Sequence, residues 1–186
     1  ELVEPGQPIL DHQIRRSDPH GLAAGLGLHL QATVSETHVP DDPATIAACV
    51  AAHLETDDVL VLSGGVSVGR FDHVPSVLAR LGVRQVFHQI AQRPGKPMWF
   101  GVSGHGKLVF GLPGNPVSVL VCLARYVIPA LQAAAGGVEF LAQRCQVRVQ
   151  AGAKRFAVRQ PALQVGNDIG ACFQFRDLTF HVAGGV

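Results

Sequence analysis

The chain has 186 residues, of which 47% are hydrophobic and 16% charged, with 21 glycines and 12 prolines. This composition is typical of one folded domain with many loops and leaves room for a small second module. The 15 Lys and Arg balance 14 Asp and Glu without a basic stretch interleaved with aromatics, so no nucleic-acid partner is expected. The four cysteines form no CxxC pair and the first residues lack the pattern of a signal peptide, so we expect no structural zinc, no disulfides and a cytoplasmic location.

Patterns typical of helices and strands alternate along the first 135 residues after an irregular opening. Ser17 or Asp18 is expected to cap the first helix, and Asp41 or Asp42 the second. Helices are predicted to begin near residues 18, 43, 73 and 116, and strands to run over 32–39, 58–65 and 83–90, with a hairpin over 98–114. The order predicts an α/β fold with a doubly wound, mostly parallel sheet, which binds ligands beyond the carboxyl ends of its strands.

The character of the sequence changes near residue 135, at the small-residue stretch AAAGGVE. Short strands are predicted over 143–150 and 156–165. We therefore predict an α/β domain over residues 1–135 and a small, incomplete β region over 136–186. The longest apolar run, residues 117–131, contains Arg125 and is expected to be too short to cross a membrane.

The segment SGGVSVGRFD directly follows a buried strand. Gly64 and Gly65 remove Cβ atoms where a phosphate would approach backbone amides, and Ser63 and Ser67 add hydroxyl donors. The alternative is a tight strand-to-helix turn without a ligand. Asp72 either caps the next helix or binds magnesium beside the phosphate.

The segment AQRPGKP presents two cations on a backbone stiffened by two prolines. Arg93 and Lys96 suit an oxyanion such as phosphate or molybdate, and the alternative is a solvated basic turn. The nine histidines show no zinc-binding spacing. His88 lies at the end of the strand that precedes Arg93. There it either lines the pocket that would hold the oxyanion or is only a half-buried side chain.

The segment GLPGNPVSV runs from a strand into a helix. Asn115 is expected to cap the helix, Pro116 suits its first turn, and Gly114, after Pro113, is free to adopt a positive φ. The turn either directs amides at an anion or is only a good strand-to-helix connection.

Five ordered segments, ELVEPGQP, VPDDP, SGGVSVGRFD, FHQIAQRPGKP and FGLPGNPVS, closely resemble the molybdopterin molybdenumtransferase family of the MoeA and gephyrin type. The resemblance covers about residues 1 to 135. It implies the molybdopterin-binding fold that this family shares with molybdopterin adenylyltransferases.

The resemblance also implies an activity. In the family, adenylylated molybdopterin and molybdate bind at a dimer interface, magnesium assists hydrolysis of the adenylate, AMP leaves and molybdenum is inserted. By matching position, Glu1, Asp42 and Asp72 are implied as magnesium ligands, with Asp42, Asp72 and Lys96 catalytic. Arg93, Lys96 and His88 are implied to hold the anions, and the glycine and LPGNP segments to bind the cofactor. The resemblance implies two protein partners: a second copy of the chain, with which it forms a homodimer, and a molybdopterin adenylyltransferase.

The sequence departs from the family pattern at several places. It starts at the Glu of a motif resembling STGDEL, so we expect the sheet to lack its first strand. Arg70 stands where an acidic residue is usual, and Asp18 where Asn is common. The usual glycine- and serine-containing segment of the C-terminal domain is not found. We therefore expect binding without efficient turnover.

Two other functions compete with this one. A non-catalytic scaffold would use the same fold to present an apolar groove to a protein partner. A molybdopterin adenylyltransferase would be expected to carry a TGGTG-like loop, and SGGVSVG argues against it.

Overall fold

The computed structural model describes residues 2–30, 32–67, 69, 72–135 and 179–184. The strands are β1 (Leu2–Val3), β2 (Ile14–Arg15), β3 (Thr33–His38), β4 (Val59–Ser63), β5 (Arg84–His88), β6 (Trp99–Val102), β7 (Leu108–Leu112) and β8 (Thr179–Gly184). β1 and β2 form a small parallel pair, and the other six strands form one sheet in the order β3-β8-β4-β7-β6-β5.

The central sheet is mostly parallel. β3, β8, β4 and β7 pair in parallel, whereas β6 is antiparallel to both β7 and β5. β5 therefore runs in the same direction as the four parallel strands, and only β6 is reversed. The predicted α/β class with a mostly parallel sheet is confirmed.

Helices cover both faces of the sheet. They are α1 (Asp18–Leu30), α2 (Pro43–Thr56), α3 (Val74–Arg80), α4 (Pro116–Cys122) and α5 (Ile128–Ala134). α1, α4 and α5 pack together, as do α2 and α3. Alternate residues of β4 supply the two cores: Val59 and Val61 pack with α1, α4 and α5, while Leu60 and Leu62 pack with α2 and α3. This arrangement is the doubly wound one, and it explains why all five residues of β4 are buried.

The opening segment, predicted to be irregular, pairs β1 with β2 and is tied to the sheet by a buried cation. The guanidinium of Arg16 forms ion pairs with Glu4 of the opening and Glu36 of β3. A buried charge needs such partners, because its removal from water is otherwise costly. Arg16 therefore links the opening to the edge strand of the sheet.

The last helix differs from the prediction of one continuous α-helix. A π-helical segment, Leu123–Val127, separates α4 from α5. Pro129 explains it, because proline has no N–H to donate and its ring crowds the carbonyl four residues earlier, which belongs to Arg125. The chain accommodates this conflict with one wider turn, in which the N–H of Ile128 bonds to the carbonyl of Leu123.

The helical run Pro116–Ala134 has 19 residues and is long and apolar enough to cross a membrane by length and composition, contrary to the estimate from the apolar run alone. Core helices of soluble proteins pass the same test. Here Val119, Leu123, Val127 and Leu131 are buried and pack in the core with α1 and β7. We therefore interpret this run as a core element.

The strands predicted over 143–150 and 156–165 lie outside the described residues. Of the region 136–186, the structure describes β8. This strand lies between β3 and β4 and pairs in parallel with β3 along its whole length, from Thr179 to Gly184. The boundary near residue 135 and the absence of a first strand stay predictions.

Gly101 in β6 offers a test of the packing. A Cβ at this position would overlap the Trp99 ring and lie 2.8 Å from the carbonyl oxygen of Arg84. We expect Gly101→Ala to lower the free energy of unfolding by about 1–3 kcal/mol, the usual cost of overpacking, in urea titrations. The control is Gly104→Ala in the adjacent turn, where a Cβ meets nothing within 4 Å. Equal stability of the two variants would contradict the packing.

Candidate anion-binding site at the carboxyl edge of the sheet

Three loops start from the same edge of the sheet, where β4, β5 and β7 end. The glycine loop (residues 63–72) follows β4, the cation loop (residues 89–97) follows β5, and the LPGN turn (residues 112–115) follows β7. They are the three segments singled out in the sequence. Parallel direction places their starting points at the same edge, as expected for a ligand site in this fold.

The glycine loop and the LPGN turn are in direct contact. The N–H of Gly64 donates to the carbonyl of Leu112 at 2.9 Å. A Cβ on Gly114 would lie 3.3 Å from the Cα of Gly64, so a side chain there would crowd the neighbouring backbone. Gly64 and Gly65 have φ values of +88° and +63°, which favour glycine. Gly64 and Gly65 are therefore explained by the backbone of the loop itself, and Gly114 by its close approach to Gly64, whereas the positive φ suggested for Gly114 is not adopted.

Asp72 closes the glycine loop on itself. Its Oδ2 accepts from the N–H of Gly69 at 2.7 Å, and its own N–H donates to the carbonyl of Gly69 at 3.1 Å. α3 begins two residues later and has no side-chain cap. Of the two interpretations of Asp72, the helix cap is therefore wrong. Ser67, in the same loop, is exposed.

His88 supports the glycine loop from the end of β5. Its Nε2 lies 2.8 Å from the carbonyl oxygen of Val66. Because a carbonyl only accepts, Nε2 carries the hydrogen, and the neutral ring then has Nδ1 as an acceptor. A neutral His88 in this orientation positions the loop and has no donor left for an anion. The anion-holding role implied by resemblance would require the doubly protonated ring.

The cation loop is a compact turn. The N–H of Ile90 donates to the carbonyl of Lys96 at 2.9 Å, and the N–H of Met98 donates to that of Gly95 at 3.2 Å. The chain leaves β5 through Gln89, which has a φ of +68°, uncommon for a residue with a side chain. Arg93 and Lys96 are exposed, and no ion pair joins either of them to a carboxylate within the described part of the chain.

Asn115 caps α4 as the sequence predicts. Its Oδ1 accepts from the N–H of Ser118 at 3.2 Å and from the Ser118 hydroxyl at 3.4 Å. Pro116 occupies the first turn, where its missing N–H is harmless, and Pro113 is buried. The LPGN turn is thus a well-built strand-to-helix connection, whether or not its amides also bind an anion.

Two aspartates follow β3, and they have different surroundings. Asp42 caps α2: its Oδ2 accepts from the hydroxyl and from the N–H of Thr45, each at 2.7 Å. These bonds, the hydroxyl one first, lower the pKa of Asp42. Asp41 instead lines a cleft shared with Ser63, Gly64 and Gly65. The resemblance implies Asp42 for the site, and the sequence offers Asp41 only as a cap, because adjacent aspartates before a proline look alike in sequence.

The implied magnesium ligands are only partly brought together. Glu1 lies outside the described residues. Within those residues no group of three or more His, Cys, Asp or Glu side chains is close enough to hold a metal ion. Asp42 and Asp72 each use one carboxylate oxygen for a backbone N–H, which leaves one oxygen of each for a ligand.

A contact that the sequence did not reveal links α1 to the end of β4. The Ser63 hydroxyl donates to Oδ2 of Asp18 at 2.8 Å, and Oδ1 of Asp18 is buried without a hydrogen-bond partner among the described residues. Burial raises the pKa of Asp18, and the bond from Ser63 partly offsets that effect. The sequence marks Asp18 as a candidate helix cap and as a departure from the family pattern, but not as a partner of Ser63.

The fold is a doubly wound α/β domain whose carboxyl edge exposes backbone loops and two cations that have no carboxylate partner among the described residues. A family model described as "Probable molybdopterin binding domain" matches residues 5–133. The chain therefore belongs to the family of molybdopterin-binding domains.

Relatives of known name agree. The chain is 44% identical over 129 residues to the molybdopterin molybdenumtransferase of Synechocystis sp., and 41% identical over 140 residues to that of Synechococcus elongatus. The alignments cover 69% and 72% of this chain but 33% and 34% of the relatives, so the chain spans about a third of their length. The crystal structure of a molybdopterin biosynthesis MoeA protein from Pyrococcus horikosii superposes with a TM-score of 0.58 at 32% identity, covering 73% of this chain and 33% of that one.

Replacement of Asp18 by Asn tests the buried carboxyl. Because the pKa of Asp18 in the fold lies above its ordinary 3.8, the ionised carboxylate costs stability at pH 7, and protonation removes that cost as the pH falls. Asn is always neutral and keeps an acceptor for Ser63. We expect Asp18→Asn to melt at a higher temperature than the wild type at pH 7, with the difference shrinking as the pH falls towards 3.8.

The control for this experiment is Asp11→Asn, at an exposed position of the opening, which should leave the melting temperature unchanged across the same pH range. A destabilised Asp18→Asn at pH 7 would show that the negative charge itself is needed in the fold.

Proposed function

We propose that this chain is the molybdopterin- and nucleotide-binding part of a molybdopterin molybdenumtransferase, which inserts molybdate into adenylylated molybdopterin and releases AMP. One observation carries the proposal: Arg93 and Lys96, without carboxylate partners among the described residues, lie on a loop that starts from the same edge of the sheet as the glycine loop and the LPGN turn. The three loops follow strands that end at one edge of the sheet. The relatives named molybdopterin molybdenumtransferase support the choice of ligand and reaction.

The cations bind and orient the anionic groups in this proposal. The guanidinium of Arg93 presents paired N–H groups to a phosphate or molybdate, and the ammonium of Lys96 acts as a point charge that offsets charge developing on the phosphoanhydride. Gly64 and Gly65 let the pyrophosphate approach the backbone. His88, through its bond to the Val66 carbonyl, keeps the glycine loop in place.

We propose magnesium as the cofactor, held by carboxylates of this chain together with the substrate phosphates, because the described residues form no metal-binding cluster of their own. Mg²⁺ is usually bound by one or two carboxylates together with substrate phosphates, and the rest of its coordination sphere is water. Asp72 and Asp42 each offer one oxygen, with Asp41 lining the neighbouring cleft. When bound, the ion would neutralise negative charge on the bridging phosphates. Asp42 and Asp72 would hold the ion through their remaining oxygens and would help to orient the water that attacks the adenylate.

The proposal extends to assembly and location. We propose a homodimer in the cytoplasm that receives its substrate from a molybdopterin adenylyltransferase. Val117 and Leu120 of α4 are 61% and 50% exposed, and these apolar side chains are available for a subunit contact.

Binding of AMP with Mg²⁺ to the purified chain tests the site. We expect saturable binding by calorimetry, weakened about tenfold in Lys96→Ala because one charge-assisted contact is lost. Asp72→Ala is expected to abolish the dependence on Mg²⁺. Release of AMP from adenylylated molybdopterin on addition of molybdate tests the reaction itself.

The matched control is Lys107→Ala. Lys107 lies in the turn between β6 and β7 at the opposite edge of the sheet and bonds to the Glu55 carbonyl at 2.9 Å, so its loss should leave AMP binding unchanged. Equal weakening by Lys96→Ala and Lys107→Ala would point to non-specific charge attraction. A folded chain that fails to bind AMP at millimolar concentration would overturn the proposed site.

A further inference from the structure

Two consecutive hydrogen bonds connect the helical layer to the backbone of the cation loop. The hydroxyl of Tyr126 donates to Oε1 of Gln92 at 2.8 Å. The amide Nε2 of Gln92 in turn donates to the carbonyl of Pro94 at 2.8 Å. Pro94 lies between the two cations of the loop, so the pair of bonds ends on the segment that carries both.

The loop also packs tightly on the same helical layer. The Cys122 Sγ lies 3.8 Å from the carbonyl oxygen of Gly95. A Cβ on Gly95 would lie 2.7 Å from that sulfur and 2.8 Å from the Gln92 amide nitrogen, and the φ of Gly95 is +106°. The position of the loop is therefore set by contacts to Cys122 and, through Gln92, to Tyr126.

Tyr126 occupies an unusual part of the helix. It belongs to the π-helical segment Leu123–Val127, a type of turn that occurs frequently at functional sites. Each residue advances an α-helix by about 100°, so a wider turn changes the direction of the side chains it contains. The guanidinium of Arg125 lies 6.0 Å from the centre of the Tyr126 ring. The ring is half-buried, with its hydroxyl on the cation loop.

We propose that Tyr126 is a positioning residue for the anion site: through Gln92 it holds the backbone between Arg93 and Lys96 in the conformation that binds an oxyanion. This inference rests on the proposed function, because it assumes that the two cations bind the anion. The expected effect of these bonds is that the cation loop is preorganised for binding the anion. Exposed Arg and Lys side chains lose much conformational freedom on binding, and a fixed backbone beneath them lowers that loss.

Removal of the single hydroxyl tests the inference. We expect Tyr126→Phe to bind AMP and molybdate about fivefold more weakly than the wild type in calorimetry, since Oε1 of Gln92 loses its partner. The melting temperature should stay within about 3 °C of the wild type. The control is Thr56→Val, which deletes a hydroxyl bonded to the Ala52 carbonyl at 3.3 Å at the end of α2, and affinity should not change.

Double variants separate positioning from a structural effect. If Tyr126 acts through Gln92, Gln92→Met should weaken binding, and Tyr126→Phe should add nothing in that background. If Tyr126 acts by positioning the two cations, Tyr126→Phe should lower the affinity much less in a Lys96→Ala background than in the wild type. Additive losses in both backgrounds would overturn the inference.

Failure of the inference and failure of the proposed function give different results. Binding by the wild type with unchanged affinity in Tyr126→Phe would refute the role of Tyr126 and leave the anion site standing. Absence of binding by the folded wild type would refute the anion site. In that case hydrogen exchange decides whether Tyr126 holds the cation loop. The Met98 N–H, which bonds to the Gly95 carbonyl, should exchange faster in Tyr126→Phe than in the wild type. An unchanged exchange rate would refute the role of Tyr126 in holding the loop.

Discussion

The parallel pairing of β4 with β7 is the constraint on which the candidate site depends. Ser63 pairs with Leu112 at the ends of these strands. The two following loops therefore start side by side and pack against each other. Their contact leaves no room for a Cβ at Gly114 without movement. The two glycine-containing segments are therefore one packed unit, and β5, which ends at the same edge, adds His88 and the cation loop to it.

Most polar side chains at this edge bond to the protein itself. His88 and Gln92 bond to loop carbonyls, while Asp42, Asp72 and Asn115 accept from backbone N–H groups. The bonds of His88, Gln92 and Asp72 fix loops that lack regular secondary structure, whereas those of Asp42 and Asn115 cap α2 and α4. The cations Arg93 and Lys96 have no ion pair among the described residues. The chemistry of the edge thus divides into groups that shape the loops and groups that are left for a ligand.

The sequence predicted the fold and the loops well, because apolar runs such as 59–62 and turn residues such as Pro116 act locally. It did not predict which side chains support the loops. The Ser63–Asp18 and Tyr126–Gln92 bonds join residues 45 and 34 positions apart, and nothing in the local pattern of either residue marks its partner. The π-helical turn was missed because the apolar spacing continues through it, although Pro129 is a local signal for an interruption.

The roles of adjacent residues were equally hard to predict, as Asp41 and Asp42 show. Only the start of α2 at Pro43 makes Asp42 the cap and leaves Asp41 to line the cleft beside the glycine loop. Helix boundaries are uncertain by a residue or two in any sequence-based assignment. A shift of one residue here exchanges a structural carboxylate for one that is available to a ligand.

The bond between Ser63 and Asp18 also bears on where an anion can sit. In this arrangement the Ser63 hydroxyl is already a donor to the carboxylate, so only its lone pairs remain for a ligand, and these repel an oxyanion. The nearby negative charge of an ionised Asp18 acts in the same direction. Donors for an anion must then come from backbone N–H groups and from Arg93 and Lys96. For the proposed anion this favours the side of the edge nearer the cation loop, where Gln92 bonds to both Tyr126 and the Pro94 carbonyl.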